Sequence, residues 1–342
     1  MMSSSARLAE QYDVALLDLD GVVYLAEQPV AGAPEALAQV REAGMRLAFV
    51  TNNASRTPEQ VAALLHRVGV PAEPAEIVTS AQAAAHYLAD RLPAGSRVLV
   101  LGTSGLIDAV TERGLRPVFS ADDDPAAVVQ GFFPDVTWKH LAEGSLAIQR
   151  GAFWLATNLD STVPSPRGPL PGNGALVAAL RHATGVEPAA TGKPDPSMHA
   201  ESVERSGARA PIVVGDRLDT DIEGASRVGC PSLLVLTGVT SPSALLTARK
   251  DHRPDYLGRS VAALLDAHPS VQVDTAEVRC GSAVVRTERT RLALSGVTDE
   301  LDALRALAVA SWRLVDAGES PPPPAGEDEK SNTVLRNFEF SG

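Results

Sequence analysis

The sequence has few cysteines, no excess of basic residues and no long apolar run, and each shortage excludes a class of protein. Two of its 342 residues are cysteines, Cys230 and Cys280, too few for a disulfide framework and typical of a reducing compartment. A net charge of −12 leaves no broad basic surface for nucleic acid or an anionic membrane. No apolar run approaches the ~18 residues that span a bilayer, and residues 1–10 lack the apolar core of a secretory signal. We therefore expect a cytoplasmic protein that binds neither nucleic acid nor membranes.

Short apolar runs alternate with helical stretches along most of the chain. This alternation predicts an α/β fold with a doubly wound parallel-sheet (Rossmann-like) core, because parallel strands need crossover helices that cover both sheet faces. Helices are predicted at Pro34–Ala43 and Pro58–Val68, each followed by glycine. Buried strands are predicted at Val14–Leu17, Leu47–Val50, Val98–Leu101, Ala127–Phe132, Phe153–Ala156, Ile212–Val214 and Leu233–Leu236.

The chain length and a change of pattern predict several domains. We expect a core domain over residues 10–82 and 186–268, interrupted by an inserted α/β domain over residues 83–185. Alternating residues followed by an amphipathic helix at Thr298–Leu314 predict a small α+β appendage over residues 271–319. Pro321–Pro324 and the acidic Glu327–Glu329 predict a disordered tail over residues 320–342.

A pair of aspartates follows the first predicted strand. Val14–Leu17 is followed by Asp18, Leu19, Asp20 and Gly21, which puts both carboxylates where ligands bind in open α/β sheets. Carboxylates this close require a cation or a raised pKa, and an aspartate can attack phosphorus. The alternative is an ordinary strand end, with the aspartates used for capping and turns.

Three further segments place polar groups at predicted strand ends or beside a restricted loop. Thr51-Asn52-Asn53 follows a strand and offers a hydroxyl and N–H groups to an anion, or simply begins a loop. Lys193 lies in Gly192-Lys193-Pro194, where proline restricts the backbone around a cation that could equally be solvated. Gly215-Asp216-Arg217-Leu218-Asp219-Thr220-Asp221 follows another strand, although acidic residues also favour helix N-termini for electrostatic reasons alone.

Taken in order, these four segments resemble the haloacid dehalogenase superfamily of aspartate-nucleophile phosphatases, over about Tyr12 to His268. Within it the chain is similar to the branch of phosphoglycolate, glycerol-phosphate, pyridoxal-phosphate and nitrophenylphosphate phosphatases. The segments that carry this closer likeness are Asp18–Tyr24, Thr51–Ser55, Gly131–Asp135, Ala156–Asp160 and Gly215–Asp221.

The resemblance implies a role for each of these residues. Asp18 is the expected nucleophile and Asp20 the general acid, which then acts as base. Mg²⁺ is expected on the Asp18 carboxylate, the Asp20 main-chain carbonyl and Asp216, with Asp221 in the outer shell of the ion; these are hard oxygen ligands, as Mg²⁺ prefers. The residues expected to hold the phosphoryl group or substrate are Thr51, Asn52, Asn53 and Lys193.

The insert is expected to be a cap, since large inserts at this point of the family cover the active site. A cap that excludes water and bulky groups favours a small phosphomonoester over a phosphoprotein. Asn158 and Asp160 are candidates for contact with the leaving group, or else form a polar turn. Ser55 and Arg56 are further candidates for substrate specificity.

We therefore expect a phosphoric monoester hydrolase that works through an aspartyl-phosphate. Glycerol 3-phosphate is the favoured substrate and 2-phosphoglycolate, or another small ester, the next. Two other hypotheses stay open: a non-catalytic phosphoacceptor module, which the presence of Asp20 disfavours, and a phosphotransferase with an acceptor other than water. A homo-oligomer is also compatible with the sequence.

Other sequence features point away from further cofactors. Gly102-Thr103-Ser104-Gly105 lacks the full dinucleotide-binding spacing and predicts a tight strand-to-helix turn. The histidines form no H-x-x-x-H or Cys/His pattern, so zinc is not expected. The appendage resembles part of an acyl-CoA-dependent acetyltransferase but has no glycine-rich pyrophosphate loop before its helix. This favours an interaction, regulatory or packing role over transferase activity.

Overall fold

A computed structural model of the chain describes residues 1–163 and 167–340, which divide into two compact units. The first unit comprises Met1–Leu25, Pro29–Leu47 and the chain from Ala208 onward. The second comprises Ala26–Gln28 and Ala48–Gly207, so it contains the expected cap together with flanking residues of the expected core. Residues 164–166 of the expected cap and 341–342 of the expected tail lie outside the described part of the chain.

The strands of the described residues are short, as the apolar runs predict. In chain order they are β1 (Val14–Leu17), β2 (Tyr24–Leu25), β3 (Gln28–Pro29), β4 (Arg46–Thr51), β5 (Ile77–Thr79), β6 (Arg97–Leu101), β7 (Arg116–Val118), β8 (Ala127–Gln130), β9 (Phe153–Ala156), β10 (Thr162–Val163), β11 (Leu170–Pro171), β12 (Ala189–Ala190), β13 (Pro211–Gly215), β14 (Ser232–Val235), β15 (Tyr256–Gly258), β16 (Val271–Val273), β17 (Glu277–Cys280), β18 (Ala283–Thr287), β19 (Leu292–Ser295) and β20 (Pro324–Gly326).

The helices lie mostly between successive strands. They are α1 (Leu8–Gln11), α2 (Ala33–Glu42), α3 (Pro58–Arg67), α4 (Ser80–Ala89), α5 (Ser104–Glu112), α6 (Trp138–Gln149), α7 (Asn173–Thr184), α8 (Ser197–Ser206), α9 (Glu223–Val228), α10 (Pro242–Leu246), α11 (Glu300–Asp316) and α12 (Glu329–Asn337). A π-helical turn, Leu218–Ile222, leads into α9; we call it the 218–222 turn. Within residues 1–163 and 167–340, none of the helices has the length and hydropathy needed to cross a bilayer.

The first unit contains the five-stranded appendage sheet, ordered β16-β17-β18-β19-β20, and a sheet of four parallel strands. They lie side by side in the order β15, β14, β13 and β1, and Val14 to Leu17 pair with Pro211 to Val214. All four residues of β1 are buried. Because parallel strands end at the same edge of a sheet, the residues that follow β1 and β13 are brought together.

The second unit contains a five-stranded parallel sheet, ordered β12-β9-β8-β6-β7. Val98 and Val100 of β6 belong to a hydrophobic cluster that includes residues of α4 and α5. Leu99 and Leu101 belong to another cluster, which includes residues of α6 and α7. Successive strand residues therefore pack against helices on opposite faces, as a doubly wound sheet requires. Strands β4 and β5 pair in parallel, with Phe49 to Thr51 opposite Ile77 to Thr79.

The observed elements confirm the predicted α/β class. Strands β1 and β9 have the predicted bounds, and the other predicted buried strands shift by at most two residues at either end. The Gly102–Gly105 segment forms the expected turn, since β6 ends at Leu101 and α5 begins at Ser104.

The predicted disordered tail is wrong for residues 320–340. Strand β20 pairs in parallel with β19, and α12 follows it with Val334, Leu335 and Phe338 buried. The proline run and acidic residues suggested a solvated linker, but the helix after them has one apolar face that packs against the appendage. Burial of that face outweighs the polar composition of the segment.

Replacing Leu335 with alanine tests this corrected boundary. Leu335 is 5% exposed, so Leu335→Ala should destabilise the protein by about 2 kcal/mol, the low end for a buried leucine. The measurement is the free energy of unfolding by urea. Arg336→Ala, on the exposed face of the same helix, is the control. Equal stability of Leu335→Ala and the parent would return residues 320–340 to a disordered tail.

Candidate active site

Three carboxylates meet at the carboxyl edge of the first unit's sheet. Asp18 follows β1, Asp216 follows β13, and Asp221 lies in the 218–222 turn. One carboxylate oxygen from each lies within 4.8 Å of the others. Asp216 and Asp221 are each 1% exposed, whereas Asp18 is only partly buried. The site thus combines concentrated negative charge with limited solvation.

Asp216 is held by the loop that follows β14. The Val239 N–H donates to Asp216 Oδ2 at 2.6 Å, and the Thr240 N–H donates to the Asp216 carbonyl at 3.2 Å. A Cβ atom on Gly238 would lie 2.0 Å from Asp216 Oδ2, and one on Gly21 would lie 2.6 Å from the same oxygen. Gly21 also has φ +87°, which favours glycine. Both glycines therefore leave the space that the Asp216 carboxylate occupies.

Asp221 is fixed from its own turn. The Arg217 N–H donates to Asp221 Oδ2 at 3.1 Å, and a Cβ atom on Gly215 would lie 2.2 Å from the Asp221 Cβ. The Arg217 guanidinium binds Asp219 through two hydrogen bonds, of 3.1 and 2.9 Å. Burial acts to raise the pKa of Asp219, but the hydrogen bonds and charge of Arg217 lower it below its ordinary value. Asp219 is thereby engaged on the outer side of the turn.

Asp20 lies two residues beyond Asp18 and is partly buried. Its backbone forms a parallel bridge with Tyr24, and the Gly21 N–H donates to the Tyr24 carbonyl at 2.8 Å. The Thr237 hydroxyl donates to the Gly21 carbonyl. The loop after β1 is therefore tied to the same 237–240 segment that holds Asp216.

The residues of this cluster fit a magnesium ion. Mg²⁺ prefers hard oxygen ligands and keeps several of its waters, so a few carboxylates suffice. Carboxylates this close repel one another unless a cation neutralises them. The glycine spaces beside Asp216 provide room for its carboxylate in this arrangement. Asp18 and Asp216 would hold the ion, with Asp221 nearby.

In the second unit, Asn52 is the centre of a hydrogen-bond network. Its Nδ2 donates to Asp160 Oδ2 at 3.1 Å and to the Lys193 carbonyl at 3.2 Å, while its Oδ1 accepts from the Lys193 N–H at 2.8 Å. The Asn52 carbonyl accepts from Ser80 Oγ at 2.6 Å and Asn158 Nδ2 at 2.7 Å. Four of the residues predicted from sequence, Asn52, Asn158, Asp160 and Lys193, are thus joined directly.

The neighbouring candidates form a compact turn after β4. Thr51 is 3% exposed, and its Oγ1 accepts from the Asn53 N–H at 3.1 Å. Asn53 Oδ1 accepts from the Ser55 N–H and hydroxyl, each at 2.7 Å. The Arg56 side chain forms an ion pair with Glu27. Asn53 and Ser55 therefore support the turn itself, and Arg56 is engaged with another residue.

Lys193 is buried beside a neutral histidine. Its Nζ donates to the Val50 carbonyl at 3.1 Å, and Lys193 is 4% exposed. His199, on α8, is 1% exposed, and neither ring nitrogen has a hydrogen-bond partner within the described residues. Burial, reinforced by the Lys193 charge, lowers the pKa of His199 from 6.5 to about 3. His199 is therefore uncharged at neutral pH.

Glu223, Asp251 and His252 form a second group with ligand-like spacing in the first unit. Arg249 Nη2 lies 2.7 Å from Glu223 Oε2, and His252 Nε2 lies 2.8 Å from the same oxygen. Burial acts to raise the pKa of Glu223, but His252 and the charges of Arg227 and Arg249 lower it overall. Basic side chains neutralise this group, which we interpret as an ion-pair network.

The fold and the carboxylate cluster define a class of hydrolase, and family comparisons agree. Residues 15–116 match the model of haloacid dehalogenase-like hydrolases, and residues 190–264 match a second model described as HAD-hydrolase-like. Residues 280–338 match a GCN5-related N-acetyltransferase-like domain. The chain belongs to the haloacid dehalogenase-like hydrolase family, as the resemblance predicted.

Two individual relatives of the chain are phosphatases. The chain is 44% identical to the D-glycerol 3-phosphate phosphatase of Mycobacterium tuberculosis over 97% of this chain and 95% of that protein. It is 39% identical to the acid sugar phosphatase of Staphylococcus aureus over 68% of this chain and 89% of that protein.

Solved structures of phosphatases also resemble this chain. The magnesium complex of the M. tuberculosis glycerol phosphate phosphatase matches with a TM-score of 0.90 and 42% identity, over 99% of this chain and all of that one. The p-nitrophenyl phosphatase of Archaeoglobus fulgidus matches with a TM-score of 0.69 and 30% identity, over 74% and 98% of the two chains. The likeness to the first relative thus extends through the appendage.

The sequence reasoning missed several residues that support the site. The 237–240 segment follows a predicted strand and contains Gly238, so its position and composition were a usable signal. Asn173 Nδ2 donates to the Asn158 carbonyl at 2.8 Å, and Ser80 binds Asn52. Asn173 and Ser80 lie at the starts of α7 and α4, 15 and 28 residues along the chain from their partners, and no local pattern links such positions.

Gly238→Ala tests the space around Asp216. The added methyl group would displace the Asp216 carboxylate, so we expect Mg²⁺ affinity to fall by about tenfold or more, as for changes to groups that orient metal ligands. The measurement is the rise in melting temperature as Mg²⁺ is added. Val239→Ala keeps the N–H that binds Asp216 and should retain the parental affinity. Parental Mg²⁺ affinity in Gly238→Ala would contradict this account.

His199 should make the protein sensitive to acid. Its folded pKa of about 3 lies below the ordinary 6.5, so the unfolded chain takes up a proton that the folded chain refuses. Stability from this group is complete above pH 6.5 and declines as the pH falls toward 3, by about 2 kcal/mol at pH 5. His199→Phe should flatten the dependence of unfolding free energy on pH between 6.5 and 4.

The same substitution at exposed His182 is the control for that series. His182→Phe should keep the parental slope, because the His182 side chain is exposed in the folded protein. An unchanged slope in His199→Phe would mean that His199 accepts a proton in the folded protein.

Proposed function

We propose that this protein is a Mg²⁺-dependent hydrolase of small phosphate monoesters, with glycerol 3-phosphate as its preferred substrate. The observation that carries the proposal is the meeting of Asp18, Asp216 and Asp221 at the carboxyl ends of two parallel strands. Without a cation the three carboxylates repel a phosphate dianion, whereas a bound divalent cation offsets most of their charge and gives the phosphate a direct positive partner. When bound, Mg²⁺ neutralises charge on the phosphoryl group.

Asp18 and Asp20 are assigned complementary roles in two displacement steps. A carboxylate oxygen of Asp18 attacks phosphorus and the ester P–O bond breaks, while Asp20 gives its proton to the leaving alkoxide. The Asp20 carboxylate then takes a proton from water, whose oxygen attacks the aspartyl-phosphate. The bond between phosphorus and the Asp18 carboxylate oxygen then breaks, which releases inorganic phosphate and restores Asp18. Asp20 lies in the same short loop as Asp18, which favours the pairing.

In the second unit, Thr51, Asn52, Asn53 and Lys193 are assigned to the phosphoryl group or substrate. The network around Asn52 supports this assignment, because it fixes the Lys193 backbone on both its N–H and carbonyl sides. A compact ammonium group held in place stabilises developing negative charge without reorganisation. Asn158, Asp160, Ser55 and Arg56 remain candidates for substrate selection.

The domain division follows from the same proposal. Residues 10–82 and 186–268 would form the catalytic core, and residues 83–185 the cap that restricts the substrate to small esters. The appendage would begin near residue 271 and, with the correction to the tail, extend to about residue 340.

The choice of substrate rests on relatives. Identity of 44% over nearly the whole chain, appendage included, favours the glycerol 3-phosphate activity for which the M. tuberculosis relative is named. The acid sugar phosphatase covers only 68% of the chain and is the weaker guide. 2-Phosphoglycolate and sugar phosphates are therefore the competing substrates.

We also assign the enzyme to the cytoplasm. Cys230 and Cys280 are both free thiols, as expected in a reducing compartment. Burial, and then the charge of the neighbouring Asp302, raise the pKa of the Cys280 thiol to about 12. The thiol therefore stays protonated at neutral pH, which disfavours its oxidation. The net charge of −12 disfavours nucleic acid as a partner.

Phosphate release from glycerol 3-phosphate, 2-phosphoglycolate and a hexose phosphate tests the proposal. We expect the highest kcat/KM with glycerol 3-phosphate, and loss of release from every ester when Mg²⁺ is chelated. Asp18→Asn removes the nucleophile and should lower turnover by at least about 10⁴-fold. Asp219→Asn, a matched change on the outer side of the same site, should keep most of the activity.

Two outcomes would contradict the assignments separately. Parental turnover in Asp18→Asn would remove Asp18 as the nucleophile. A higher kcat/KM with another ester would keep the hydrolase and replace the substrate.

A further inference from the structure

The appendage helix α11 is packed into the core of the first unit. Trp312 and Arg305 of α11 are 5% and 7% exposed. Trp312 Nε1 donates to the Leu245 carbonyl at 2.8 Å, which joins α11 to α10. Arg305 Nη2 donates to the Leu257 carbonyl at 2.7 Å, which joins α11 to β15. These buried hydrogen bonds fix the helix on the sheet that carries the metal site.

A single hydrophobic cluster links this helix to the metal-binding turn. It contains Leu304 and Leu307 of α11, Leu245 of α10, and Leu218 and Ile222 of the 218–222 turn. Asp221 lies between Leu218 and Ile222, so the side chains on either side of this carboxylate are buried in the same core as the appendage. Because protein interiors are close-packed, a change in the shape of one side chain in this cluster is transmitted to the others.

Charged contacts at the edge of this interface hold α11 at its C-terminal end. Arg253 binds Asp316 with two hydrogen bonds, of 2.8 and 2.7 Å, and its guanidinium lies 5.3 Å from the centre of the Trp312 ring. Arg253 precedes β15 by three residues. Both the apolar face and the C-terminal end of α11 are therefore fixed to core elements.

The acidic residues at the N-terminal end of α11 disfavour anion binding there. Helix N-termini commonly bind phosphate groups through free N–H groups. Here the Asp299 side chain caps the Asp302 N–H at 3.0 Å, and the Glu300 and Asp302 carboxylates add negative charge to the first turn. The acetyltransferase-like segment thus presents acidic groups where a pyrophosphate would need donors.

We infer that α11 positions the magnesium site, with Trp312 as a positioning residue that acts through α10 and the 218–222 turn. On this inference, the acetyltransferase-like appendage holds the metal ligands of the hydrolase in position. This inference rests on the proposed function for its activity measurement, whereas its metal-binding measurement needs no substrate.

The test compares Trp312→Leu and Trp312→Phe with Val285→Ala in the full chain. Val285, 0% exposed on β18, belongs to the same cluster but lies in the appendage sheet and serves as the matched core control. The primary readout is the Mg²⁺ dissociation constant, fitted to the rise in melting temperature with Mg²⁺ concentration and measured without substrate. The second is the Mg²⁺ concentration for half-maximal phosphate release.

For Trp312→Leu we expect the Mg²⁺ dissociation constant and the Mg²⁺ concentration for half-maximal phosphate release each to rise about threefold to tenfold. This is less than the usual effect of changing a residue that hydrogen-bonds a metal ligand directly. Trp312→Phe retains most of the ring and should show a smaller rise in the same direction, which preserves the test if Trp312→Leu fails to fold. Val285→Ala should lower the melting temperature while keeping the parental Mg²⁺ dependence.

Unchanged Mg²⁺ dependence in the folded Trp312 variants, despite a lower melting temperature, would overturn the inference, because a purely stabilising appendage predicts that result. An equal rise in Val285→Ala would also overturn the specific route through α10. If the parent releases no phosphate, the proposed function fails, yet the thermal measurement still decides whether α11 positions the metal site.

Discussion

Repulsion among carboxylates gathered at one edge of a sheet is the constraint on which the first unit depends. Asp216 and Asp221 are almost completely buried, and their mutual repulsion with Asp18 is stronger there than in water. Backbone N–H groups of Val239 and Arg217 offset part of this cost. A bound divalent cation would offset the rest, and the loops around the cluster keep the three carboxylates facing a common point.

In the second unit the buried charge is positive, and the structure holds the ammonium group of Lys193 in place. The Lys193 ammonium binds the Val50 carbonyl, and the Asn52 amide holds the Lys193 backbone. Asn52 is itself held through its carbonyl by Ser80 and Asn158. A single amide therefore connects segments from distant parts of the chain, and His199 adds no competing charge at neutral pH.

Sequence patterns predicted the elements and most candidate residues because these depend on local order. Strand β1 and the aspartates after it are adjacent in the chain, so periodicity and spacing suffice to find them. Ser80 and Asn173 could not be assigned this way, since their importance arises from atoms brought close by folding. The tail was misjudged for a related reason: its composition is polar, but the few apolar residues of α12 all share one face.

The pairing of β1 with β13 sets how late in synthesis the first unit's parallel sheet can form. Strand β13 emerges roughly two hundred residues after β1, a separation that slows formation of non-local contacts. The whole of the second unit is complete by then. Asp18, Asp216 and Asp221 consequently come together only after residue 221 has left the ribosome, so the nascent chain carries Asp18 through roughly two hundred further residues of synthesis before the cluster can form.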